Sequence, residues 1–182
     1  MPSLTSLHPA LAPIFGLTEK ALYERQNSLV RMKMLPTPIG RGRGSGAEAT
    51  PENVALLIIA VMATDRQADD DRVRKLASAP FVDGKKDRCL WTGAAVFKDA
   101  LAFVLSPAAP TTKPGRVVHT DVRVYRNSPA GRLWFAWPKR RDGDSQFGEF
   151  YRRRRDRLSV EVELPNDALI EIRRLLNNEG SS

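Results

Sequence analysis

Lys20, Tyr23, Glu24, Asn27 and Arg31 follow one another at intervals of one, three or four residues. On a helix that spacing gathers an ammonium, a phenol, a carboxylate, an amide and a guanidinium on one polar face. These are the groups that hydrogen-bond base edges and phosphates. Arg25 lies beside them and is expected, with Arg31, to hold a phosphate rather than to read a base. Nine residues past Arg31, the run Gly40-Arg41-Gly42-Arg43-Gly44-Ser45-Gly46 alternates glycine with polar side chains. Glycine removes bulk while arginine keeps cationic reach, so Arg41 and Arg43 can follow a minor groove where a narrow A·T tract deepens the negative potential. Thr18 and Ser45 complete this candidate set.

A second basic region, Lys139-Arg140-Arg141 and Arg152-Arg153-Arg154-Arg155, has Phe147, Phe150 and Tyr151 between its halves. Arginines that track a backbone and aromatics that stack on unpaired bases suit single-stranded nucleic acid. A solvated excursion between strands, or a docking segment for an acidic protein, accounts for the same residues.

Catalytic chemistry finds less to work with. The glycine-arginine run lacks the lysine and the preceding apolar strand of a phosphate-binding loop, and no Gly-x-Gly-x-x-Gly pattern occurs. Cys89, the only cysteine, stands beside Leu90 and Trp91 and reads as a buried structural thiol. His119 is expected on a sheet surface. Asp69, Asp70 and Asp71 point in different directions on a helix and are read as its acidic start, not as a cation site. No catalytic residue, metal site or cofactor is expected.

The elements that carry these groups follow from caps and periodicity. Pro9 and Pro13, between Leu7 and Phe15, limit the N-terminus to one or two short helical turns, broken at Gly16-Leu17. Thr18 caps a helix that runs to about Met32, with Leu22, Leu29 and Val30 on its buried stripe and Ala21 and Arg25 or Gln26 filling between. Thr50-Pro51 opens a second helix, to about Ala63, whose residues are apolar on nearly every side. Its burial calls for a core between modules or for a dimer interface. Asp69 to Asp71 begin a third, with Val73, Leu76 and Ala77 inward, and Gly93 to Leu105 reads as a fourth, ended by Pro107. The proline-rich stretch 107–115 is the best linker candidate.

Beyond the linker the period falls to two. Val118, Thr120, Val122 and Val124 alternate as one strand. After a Ser128-Pro129-Ala130-Gly131 turn, Leu133, Phe135 and Trp137 form its hairpin partner. A polar segment, Lys139 to Arg157, leads to a third strand at Leu158, Val160, Val162 and Leu164, and Asn166 or Asp167 caps a last helix. The expected fold is α+β: an N-terminal winged helix-turn-helix over 1–50, a helical core or dimerisation region over 51–106, and a three-stranded antiparallel sheet with a terminal helix over 116–182.

The order from Gly16 to Ala63, a capped helix, a Leu35 anchor, a cationic glycine-rich excursion and a capped apolar helix, resembles the winged helix-turn-helix of bacterial regulators. Loosely, it resembles the MerR-type arrangement of recognition helix, wing and following helix, which the Tyr23-Glu24-Arg25 run echoes. That resemblance implies double-stranded DNA as the partner and transcription regulation, phage or mobile-element repressors included, as the role. A homodimer reading two half-sites about one helical turn apart is the expected assembly.

Charge agrees with a polyanionic partner: 29 Lys and Arg against 21 Asp and Glu in 182 residues leave +8 and a pI near 10.1. The excess falls in two places, +3 over 1–50 and +7 over 116–157. One cysteine and two histidines exclude an intramolecular disulfide and the common structural zinc sites, and suit a reducing cytoplasm. No secretory signal is apparent, and the longest apolar run, Val54 to Ala63, is too short to span a bilayer. Two rival readings stand beside DNA regulation: an RNA or single-strand binder using 139–157, and a protein-interaction adaptor.

Overall fold

Thr50 Oγ1 accepts from the Asn53 amide at 3.3 Å, and Pro51 begins the helix where a missing N–H costs nothing. The resulting helix is the centre of the molecule. In the computed structural model, which describes residues 2–37, 46–64, 69–82, 86–89, 91–107, 109, 119–136, 143–149 and 160–178, six α-helices accompany a four-stranded antiparallel sheet. They are α1 (His8–Ile14, preceded by a 3-10 turn at Leu4–Leu7), α2 (Glu19–Arg31), α3 (Pro51–Ala63), α4 (Asp70–Ala77), α5 (Phe97–Leu105) and α6 (Asn166–Asn178). The strands are β1 (His119–Tyr125), β2 (Ala130–Ala136), β3 (Gly143–Phe147) and β4 (Glu161–Leu164).

The apolar circumference of α3 is covered by its own chain. Val54 through Ala60, with Met62 and Ala63, are buried against α2, α4, α5 and β1. Of the two covers expected for this helix, a core or a dimer interface, its own chain supplies the core along the described residues. One cluster of packed apolar side chains runs from Leu4 through α3 and the inner face of the sheet to Ile172.

The sheet has the order β3-β2-β1-β4. The expected three-stranded sheet is thus corrected to four strands, and β3 falls inside the segment read as a polar excursion. Its inward residues are Ser145, opposite Leu133, and Phe147, opposite Gly131. With a single large apolar residue, Gly143–Phe147 has no alternation to reveal it. Backbone pairing with β2, and the Val82 amide donating to the Gln146 carbonyl on the other side, hold it in place. Phe147 packs against the rings of Phe81 and Phe97, both with centroids 5.5 Å away. Gly131 lies under the same ring cluster, where a Cβ would come within 2.6 Å of Phe97.

Boundaries shift elsewhere for identifiable reasons. The helix expected from Gly93 begins at Phe97: Gly93 sits at φ +72, and residues 94–96 are extended enough for Val96 to bridge to Pro80. The turn is Arg126 to Pro129, so Ala130 and Gly131 already belong to β2. At the N-terminus the prolines permit more helix than expected. Pro9 occupies the first turn of α1, where its missing N–H has no intrahelical partner to lose, while Pro13 sits inside the helix one residue from its end and costs a single ladder bond.

Three arginines close helices other than their own. Arg74 of α4 donates to the Met32 carbonyl at the end of α2, and Arg126 of the β1–β2 turn donates to Met62 in the last turn of α3. Arg173 of α6 donates to the Ser106 and Ala109 carbonyls after α5. Arg74 and Arg126 satisfy helix-end carbonyls left without intrahelical partners and set a cation against the negative end of the helix dipole; Arg173 does the same at the Ser106 cap and also binds the Ala109 carbonyl in the turn that follows.

Candidate nucleic-acid interface

Helix α2 is fixed at both ends by its own sequence. Thr18 Oγ1 accepts from the Ala21 amide at 3.2 Å, and Glu19 stands in the first turn. At the other end the Lys33 amide donates to Val30 and the Met34 amide to Leu29, both at 2.9 Å. These two bonds make a Schellman closure, with Lys33 at φ 58 in the left-handed position that glycine normally fills.

The inner side of α2 consists of Leu22, Arg25, Gln26, Ser28 and Leu29. Arg25, expected to hold a phosphate, is only 6% exposed, and its Nη1 donates to the Ala21 carbonyl at 3.2 Å. The phosphate role is corrected on that ground: the guanidinium is turned away from solvent. Burial, and next the nearby Arg126, pull its pKa below the ordinary arginine value. Gln26 Nε2 donates to Thr5 Oγ1 at 3.0 Å, which ties α2 to the N-terminal turn.

The outer side holds the other expected residues. Lys20, Tyr23, Glu24, Asn27 and Arg31 are exposed, Tyr23 to 49%. Arg31 donates to Ser28 Oγ at 2.6 Å. The head groups of Lys20, Tyr23, Glu24 and Asn27 make no hydrogen bond or ion pair among the described residues, although Lys20 and Glu24 are four apart. Some surface charges elsewhere are paired, Lys75 with Asp71, Arg132 with Asp144, and Arg123 with both Glu161 and Glu163.

Past the end of this helix the chain is described as far as Thr37 and again from Gly46. Arg41, Arg43 and Ser45 lie outside the described residues, as do Lys139, Arg140, Arg141 and Arg152 to Arg155. The returning limb is well anchored. The Leu4 amide donates to the Ala47 carbonyl at 2.7 Å and the Ala49 amide to the Pro2 carbonyl at 2.9 Å, with Ser3 opposite Glu48 in an antiparallel bridge. Gly46 lies against Thr5 and Gln26, so the cationic run ends beside the turn that α2 grips. The pairing of the N-terminal residues with 47–49 has no signal in the sequence, because neither limb alternates.

No known family, curated protein or solved structure matches the chain.

Chemistry elsewhere is sparse. Among the described residues no group of three or more His, Cys, Asp and Glu is placed to hold a metal ion, and no helix is long and apolar enough to cross a membrane. Cys89 is buried, its sulfur 3.1 Å from Ser145 Oγ. His119 is exposed, with Nε2 3.2 Å from Asp121. The residues that sequence reasoning missed are Lys33 and Arg74. A positive φ and a bond between positions 42 apart bring them to α2, and neither is written in a local pattern.

Proposed function

We propose that this protein binds double-stranded DNA with sequence preference, as a transcriptional regulator. In this reading α1 and α2 form the helix-turn-helix and residues 38–45 form its wing, in a loosely MerR-type arrangement. The observation that carries it is the unpartnered outer face of α2: four hydrogen-bonding head groups in a row, exposed, with nothing in the described chain to satisfy them. A helix of 13 residues is about 20 Å long and fits a major groove roughly 12 Å wide.

Within the groove, Lys20 suits guanine O6 and N7, Asn27 suits adenine N6 and N7, and Glu24 accepts from the cytosine amino group. Tyr23 supplies an apolar ring edge and a hydroxyl. Arg31 takes a phosphate. The limb 47–49, held to residues 2–4, sets the root of the cationic run beside α2, where Arg41 and Arg43 reach an adjacent minor groove. One helix supplies limited specificity, so the active species is a homodimer; with α3 enclosed, the C-terminal sheet and α6 supply the contact between copies.

A gel-shift against duplex fragments, its own upstream region included, tests the reading. Retarded complexes at nanomolar to micromolar protein, weakened by salt and selective for one fragment, are expected. Absence of any shift at 50 mM salt and tens of micromolar protein overturns it.

A further inference from the structure

Three cations converge on the C-terminal turn of α2. Arg31 ends the helix, Lys33 follows two residues later, and Arg74 arrives from α4 with its Nη2 2.6 Å from the Met32 carbonyl. All three are exposed. None has an ion pair among the described residues, although Arg72 and Lys75, the neighbours of Arg74 on α4, are each held by an aspartate.

Lys33 is the telling member. It is the only non-glycine residue with positive φ among those described. Its position is the C′ of a Schellman closure, where glycine carries no steric penalty and a lysine does. The charge complements the helix dipole, yet lysine or arginine at positions 30 to 32 does the same without the left-handed backbone. A residue kept in an unfavourable conformation, with its ammonium in solvent and no partner, is placed for something outside the chain.

We infer that Arg31, Lys33 and Arg74 form a phosphate clamp that grips the DNA backbone where α2 leaves the groove, a role that rests on the DNA-binding reading above. Lys33 lies 13 residues from Lys20, which along a helix is about 20 Å. The base-reading end and the backbone-gripping end of α2 are therefore separate. Arg74 has two duties, one N–H to the Met32 carbonyl and the remaining donors of its guanidinium outward to a phosphate oxygen.

The test uses the full chain and a mixed-sequence 30-base-pair duplex, with affinity measured by fluorescence anisotropy at several salt concentrations, in wild type, Lys33→Gly, Lys33→Arg and Lys98→Gln. Lys33→Gly relieves the backbone, so its Tm should rise by about 2–4 °C while its affinity falls. One lost phosphate contact lowers the slope of log affinity against log salt by about 0.9, or roughly eightfold in affinity at 0.1 M salt relative to a 1 M reference. Lys33→Arg should keep the wild-type slope. Lys98→Gln, which removes the same charge from α5, should change affinity far less. A stabilised Lys33→Gly with undiminished affinity and slope overturns the clamp, even when wild type binds the duplex tightly. A wild type that does not bind the duplex at all overturns the DNA reading itself, a separate outcome.

Discussion

Arg74 Nη2 and the Met32 carbonyl oxygen, 42 positions apart in sequence, stand 2.6 Å from one another. This bond joins α4 to the end of the helix that bears the candidate interface. It answers one of the carbonyls that the helix geometry leaves open, and it determines how α2 is held independently of what α2 presents to solvent.

Replacing Arg74 with alanine should cost about 1–2 kcal/mol, the worth of a partly exposed hydrogen bond from a charged donor. The urea midpoint should fall with no change in m. A midpoint equal to wild type would show that water serves the Met32 carbonyl equally well.

Gly131→Ala should destabilise the protein by about 1–3 kcal/mol, because the new Cβ would lie within 2.6 Å of the Phe97 ring in a core without slack. Combining it with Phe97→Leu should cost less than the two changes added together, since the smaller side chain clears the contact. Additive effects in this double-mutant cycle would contradict the packing described.

His8 should make stability depend on pH. Burial lowers its pKa from 6.5, outweighing the opposing influences of Gln26 and Glu19. Between the folded pKa and 6.5 the unfolded chain binds more protons than the folded one, so stability is complete above that range and declines as pH falls through it. Urea midpoints at pH 7.5 and 5.5 should differ less for His8→Gln than for wild type. An equal difference in both proteins would remove His8 as the cause.

Asn27→Ala and Lys20→Ala should leave Tm within about 1 °C of wild type, because both side chains are exposed and unpartnered. In a selection from randomised duplexes each should blur one position of the recovered site, with a loss of about 1–3 kcal/mol of discrimination there. Recovery of the wild-type site by both variants would move base reading away from α2.

Cys89 should resist labelling by a thiol reagent in the native state, with a rate that follows global unfolding. It is 1% exposed and lies beneath β3 beside Ser145. Rapid labelling without denaturant would mean that β3 opens on its own.

The starts of α2, α3 and α4 and the existence of the first hairpin were legible because their causes are local, whereas α5, whose cap Val96 has no side-chain bond, was placed four residues early. Thr18, Thr50 and Asp69 each accept from a backbone amide three residues on, and that offset is written in the chain. Thr120, Val122 and Val124 alternate with their polar neighbours since one face of the sheet is buried and the other is wet. β3 was not legible. Gly143-Asp144-Ser145-Gln146-Phe147 has a strand's geometry only because β2 and residue 82 supply its hydrogen bonds.

By its residues alone the chain determined that α2 exists, where it starts, and that Lys20, Tyr23, Glu24 and Asn27 share a polar side. Helix pitch relates those positions through short-range geometry. The tertiary structure decided that Arg25 turns inward, that Lys33 takes a left-handed backbone, and that Arg74 comes to the end of α2. The burial of Arg25 and the reach of Arg74 depend on contacts between distant segments, and the turn at Lys33, though closed by local bonds to Val30 and Leu29, carries no glycine to announce it.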